Sequence, residues 1–142
     1  MRKFGPLTAI LAAANLTACV ENTPLGDPPP SEEVMRVAQL SHKNTYGRPA
    51  VGLRIVQIHR TNVFFEREDY LVCVTTQEKT EAPRYNNAGE LVVPIGTTYR
   101  RSHALLMREY SDGWGAGVYR RVEAGKIGGV QMSDYCPPSE RP

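Results

Sequence analysis

The chain has 142 residues, 41% of them hydrophobic, which suits one small domain and shows no second. Its formal charge of +2 comes from 17 Lys and Arg against 15 Asp and Glu, and only two of these charged residues, Arg2 and Lys3, precede residue 19. From residue 19 onward the balance is 15 against 15, without the basic excess of a nucleic-acid-binding protein, so the doublets Arg100-Arg101 and Arg120-Arg121 read as solvated strand edges.

Arg2 and Lys3 open an N-terminal pattern. An uncharged, Ala-rich run from Phe4 to Ala14 follows, and then Leu16-Thr17-Ala18-Cys19. A basic start, a short apolar stretch and small residues before a cleavage point are the parts of an export signal. The apolar stretch is shorter than the roughly 20 residues of a membrane-spanning helix. Leu16-Thr17-Ala18-Cys19 resembles the lipobox of bacterial lipoprotein precursors, a resemblance that covers residues 1–19. It implies a diacylglyceryl group on the Cys19 sulfur, cleavage of the signal peptide 1–18, and acylation of the new amino group. One fatty chain anchors marginally, and two or more anchor stably. Val20 stands where an Asp would imply inner-membrane retention, so the family's sorting implies the outer membrane, facing the periplasm. An ordinary secretory signal cleaved near Ala18 and a buried N-terminal helix are the competing readings.

Residues 19–30 are polar and contain Gly26 and four prolines, the composition of an extended tether. Such a tether reaches at most roughly 40 Å from a bilayer. A single small domain is expected over 31–142. It begins with a predicted helix from Ser31 to about Asn44. Ser31 stands at the N-cap position, Glu32 and Glu33 favour the positive end, and Val34, Val37, Ala38 and Leu40 form an apolar stripe. Gly47 and Pro49 end it.

Beyond that point the hydrophobic period shortens. Strands are predicted over Leu53–Arg60, Val63–Glu66, Tyr70–Thr76, Glu90–Ile95, Ala104–Tyr110, Trp114–Val122 and Val130–Tyr135. Polar turns separate them, with Ser111-Asp112-Gly113 the strongest hairpin signal and Gly125–Gly129 a flexible break. The expected class is α+β, one N-terminal helix packed on a small antiparallel sheet.

The lipoprotein resemblance assigns Cys19 to lipid and leaves Cys73 and Cys136 as an even pair in an oxidising compartment. A Cys73–Cys136 disulfide is expected, closing a loop of about 64 residues worth about 4 kcal/mol in the chain-entropy model. The alternative is a buried free thiol at Cys73 and an exposed one at Cys136.

Catalytic signals are absent from the sequence. His42, His59 and His103 have no metal-ligand spacing, and His59 and His103 fall on different strands that could bring them together across a sheet. Ser102 and His103 are adjacent on a strand and so point to opposite faces. Gly113, Gly115 and Gly117 follow a hairpin turn rather than joining a strand to a helix, so a packed Trp114 or a β-bulge explains them better than a phosphate loop. The carboxylates Glu66, Glu68 and Asp69, and Glu78 with Glu81, read as solvated turns. No enzyme, cofactor or metal is expected. A set of aromatic and basic residues is richer: Tyr99, Arg101, Arg108, Tyr110, Trp114, Tyr119 and Arg120 are of the types that dominate binding hot spots. Core packing is the plainer explanation for the same residues.

A second resemblance lies in the domain. Val72-Cys73 followed by Gln77, Lys79, Thr80, Gly89 and Pro94-Ile95 resembles a pattern in small uncharacterised periplasmic proteins, with Val74 and Glu78 as departures. It implies a secreted, cysteine-bearing strand and no activity. The expected function is a membrane-anchored, non-enzymatic binding or structural module for an envelope protein or the cell wall. The alternative is a periplasmic inhibitor or immunity-type protein that blocks a hydrolase.

Overall fold

The computed structural model describes residues 27–64 and 67–142. Cys19, the signal segment and most of the tether lie outside the described residues.

Helix α1 spans Ser31–Tyr46. Its N-cap is Pro30 rather than Ser31, and no side chain caps it. Pro30 has a non-helical ψ of 146° while its carbonyl accepts the Val34 amide at 3.0 Å, so Ser31 is already the first helical residue. Glu33 instead accepts two bonds from Arg36, at 2.7 and 3.1 Å, one turn along. At the other end Gly47 takes the left-handed conformation (φ 72°) and donates to Lys43 O at 2.8 Å, a closure that favours glycine.

The main sheet contains β1 (Arg54–Phe64), β2 (Arg67–Lys79), β5 (Thr98–Tyr110) and β6 (Gly113–Arg121), antiparallel in the order β1-β2-β5-β6. Between β2 and β5 the chain makes a two-stranded ribbon, β3 (Arg84–Tyr85) with β4 (Leu91–Val93). After β6 it forms a short 3-10 turn at Val122–Ala124, a second ribbon of β7 (Lys126–Ile127) and β8 (Val130–Gln131), and another 3-10 turn at Met132–Asp134. The α+β class is as expected. Two predicted strands are corrected: Glu90–Ile95 is extended only over Leu91–Val93, and Val130–Tyr135 only over Val130–Gln131. Gly117 lies at a bulge, because Val118 pairs with Leu106 while Ala116 pairs with Met107.

Both sheet faces are covered, and strand alternation decides what covers each. Tyr70, Val72, Val74, Leu105, Met107 and Tyr119 face α1 and meet Val34, Val37 and Ala38. Leu71, Cys73, Ala104 and Leu106 face the other way, where Val122, Ile127, Met132 and Cys136 of the C-terminal segment close over them. The architecture is therefore helix, sheet and C-terminal strap. The Cys73–Cys136 disulfide, with Cα atoms 5.4 Å apart, pins the strap to β2. Leu105 and Met107 are fully buried, contributing about 1.5–3 kcal/mol each by removal from water.

Candidate functional site

At the end of the sheet where β2 finishes and β5 begins, the helix-facing side is polar. The register places Tyr99 opposite Glu78, Arg101 opposite Thr76, His103 opposite Val74, and Arg121 opposite His103. Helix α1 delivers His42 and Tyr46 onto the same patch. The His42 Nδ1 lies 3.0 Å from Tyr119 Oη, and His103 Nε2 lies 3.1 Å from Thr76 Oγ1. The His103 ring stacks on Tyr119 with centroids 5.0 Å apart, and the His42 ring meets His103 edge-on at 5.5 Å. Tyr46 closes the group, with the Arg121 guanidinium 5.4 Å above its ring.

This cluster is electrostatically set. Burial first, and then His42, Arg101 and Arg121, push the His103 imidazole down to about 3, so it is neutral at physiological pH. Burial also lowers His42 and raises the Tyr119 phenol. The Thr76–His103 contact has the spacing of a hydroxyl and a base, with His103 0% and Thr76 1% exposed. Among the described residues, no group of three or more His, Cys, Asp or Glu side chains converges to hold a metal ion.

Above the cluster two clefts of about 530 and 400 Å³ share Arg48, Glu78, Lys79, Thr80 and Glu81. The first reaches His42 and Thr76 at its floor. The second is rimmed by Arg48, Lys79, Arg84, Arg101, Arg121 and Arg141, against the carboxylates of Glu78 and Glu81. Arg101 is only 8% exposed. Its Nε finds no hydrogen-bond acceptor, its Nη2 donates to Tyr99 Oη, and the nearest carboxylate is Glu78 at 3.7 Å, which Arg48 also approaches at 3.7 Å.

The aromatic and basic residues singled out in the sequence do not form one surface. Tyr99 and Arg101 line the basic cleft, and Tyr119 lies buried in the cluster below it. Tyr119 is thus core, held there by its pairing with Leu105 in mid-sheet. Arg120 alternates to the opposite face and reaches Lys126 O at 3.4 Å. Arg108, Tyr110 and Trp114 sit at the far, β5–β6 hairpin end. Trp114 packs on Tyr70 with centroids 5.9 Å apart, and the Tyr110 ring lies against Gly115, where a Cβ would meet it at 2.9 Å. His59 does not meet His103. It pairs with Leu71 on the strap-facing side and contacts Tyr135, whereas His103 faces α1.

Arg108 is engaged by Asp69, which it grips with two bonds of 2.5 and 2.6 Å. The Asp69 side chain is 0% exposed and that of Arg108 is 21% exposed, so the two ends of the pair differ in what their loss leaves behind. Arg108→Leu strands a buried carboxylate and costs about 3 kcal/mol. Asp69→Leu frees a guanidinium that reaches water, and costs less. Urea unfolding of both variants checks this order, and equal losses would refute it.

The chain matches no protein-family model, and no curated protein or solved structure matches it.

Proposed function

We propose that this protein is a lipid-anchored, non-enzymatic binding module of the bacterial envelope, and that its working end is the cleft lined by Tyr99, Arg101 and Arg121. The single observation that carries the reading is the pairing of Cys73 with Cys136. A disulfide closing a small domain belongs to an oxidising compartment. The pairing also leaves Cys19 without either of the other cysteines, directly after Leu16-Thr17-Ala18. A lipid on Cys19 and the tether 19–30 would confine the cleft to a thin layer beside the membrane. Effective concentration there is high, and modest contacts suffice for engagement with an envelope protein or cell-wall partner.

Cys19→Ser tests the anchor. The native protein is expected in the membrane fraction and the variant in the soluble fraction, with the domain folded in both. A variant that still sediments with membranes and floats with lipid would contradict the anchor.

A further inference from the structure

We infer that the basic cleft binds a phosphate-bearing anion, a phosphomonoester or diphosphate group, with Arg101 and Arg121 as its main contacts and Lys79 at its rim. The inference rests on the reading of this end of the sheet as the working face, and it names the chemistry of the ligand.

Three observations converge on it. The first is concentration of charge. Six cationic side chains rim the cleft against the side-chain carboxylates of Glu78 and Glu81, in a chain whose total is 17 against 15, although Arg84 is already taken by the Pro142 oxygen at 2.5 Å. Among the described residues, no carboxylate lies within ion-pair distance of Lys79 or Arg121. The second is the state of Arg101. A guanidinium with its side chain 9% exposed is costly to bury unless paired and fully hydrogen-bonded, yet its Nε hydrogen has no acceptor and its carboxylate stands at 3.7 Å. Tyr99 fixes the orientation of the group by accepting from Nη2 and by lying beneath it at 5.5 Å. An anion in the cleft beside the guanidinium offsets the cost of burying that charge. The third is the floor. His103 is already neutral beneath Arg101 and Arg121, so the cluster holds no competing buried cation.

The excess of positive charge selects among anions. A carboxylate brings one charge and two oxygens. A phosphomonoester brings about −1.5 to −2 and three strong acceptor oxygens, and a diphosphate brings more. Planar arginine forks match phosphate oxygens two at a time. A cleft of about 400 Å³ admits a small phosphorylated group. That group has two sources in an envelope, a soluble phosphorylated compound or the headgroup of a lipid.

The experiment uses the full chain carrying Cys19→Ser, so that no fatty chain contributes. Inorganic pyrophosphate is titrated in by calorimetry. Co-sedimentation is measured with phosphatidylcholine vesicles, with and without phosphatidic acid. Saturable pyrophosphate binding is expected, weakened at least tenfold by Arg101→Gln and by Arg121→Gln, and severalfold by Lys79→Gln. Binding to phosphatidic acid vesicles alone, sensitive to the same variants, assigns the headgroup as the source. Should Arg101→Gln fail to fold, Arg121→Gln and the exposed Lys79→Gln decide. Binding of neither probe, binding unchanged in the variants, or citrate binding as tight as pyrophosphate overturns the inference. Membrane release of Cys19→Ser is read separately, so failure here leaves the anchor standing.

Discussion

Replacing both Cys73 and Cys136 with alanine lowers the stability of the domain by about 4 kcal/mol. The bond joins residues 63 apart, and the chain-entropy model assigns roughly that amount to a loop of this length. Small domains have only about 5–15 kcal/mol in total, so the loss is a large share. Its structural route is specific. The strap from Val122 to Cys136 covers one sheet face through Val122, Ile127 and Met132, with the last two separated by a turn through Gly128 and Gly129. Without the bond the strap keeps only these contacts and a few hydrogen bonds, such as Met132 N to Gly125 O at 3.0 Å. The urea midpoint is expected to fall sharply and the slope to rise, because the unfolded chain without the bond is less compact. Amide protection is expected to vanish first from the strap, before β2 and β5. A double variant within about 1 kcal/mol of the parent would show that the strap holds without its sulfur bridge.

Acid destabilises the domain through His103. Its folded-state value lies near 3, well below the ordinary 6.5, because burial and the nearby His42, Arg101 and Arg121 oppose its charge, while Glu123 acts weakly the other way. The groups packed around it are His42 and Tyr46 from α1, Thr76 from β2 and Tyr119 from β6. The unfolded chain takes up this proton as pH falls below about 6.5, and the native state does so only near 3. In that window the unfolded state binds more protons, so stability drops as pH falls. Each tenfold change in proton affinity is about 1.4 kcal/mol, and the native state loses about 3 kcal/mol by pH 4. His42, also lowered by burial, adds in the same direction. In His103→Phe the stability difference between pH 7 and pH 4 is expected to shrink by more than half. An unchanged difference would place the acid sensitivity elsewhere.

These expectations come from parts of the molecule that differ in how far the sequence reveals them. Helix α1 is legible because its stripe of Val34, Val37 and Ala38 repeats at helical spacing and Gly47 ends it. Its first residue, Ser31, is read correctly, but the cap is not, because Pro30 carries it through its backbone alone. The β5–β6 hairpin is legible from Ser111-Asp112-Gly113, and the bulge from Gly117. The predicted segments Leu53–Arg60 and Val63–Glu66 merge as far as Phe64, because pairing with β2 holds at Thr61 and resumes at Phe64 after a register shift; residues 65 and 66 lie outside the described residues.

The cleft end of the sheet is less legible. Alternation says which residues share a face, but not which strands are neighbours. Arg48, Glu78, Arg101 and Arg141 come together only once β2 lies beside β5 and the last residues return past Arg100, whose carbonyl accepts the Glu140 amide at 2.8 Å. The His42–His103–Tyr119 cluster likewise needs α1 laid across β6. The residue types in the Tyr99–Arg120 stretch suggested one surface. Its local density of Tyr and Arg concealed two ends and two faces, with Arg108 given over to Asp69 and Trp114 to Tyr70.

The intact mass of the protein recovered from cells, with and without thiol alkylation, tests the central claim most directly. The account predicts a chain that begins at Cys19, carries fatty acyl groups there, and has Cys73 and Cys136 closed to alkylation until reduced. An unacylated chain that keeps Met1 and alkylates at all three cysteines would contradict it.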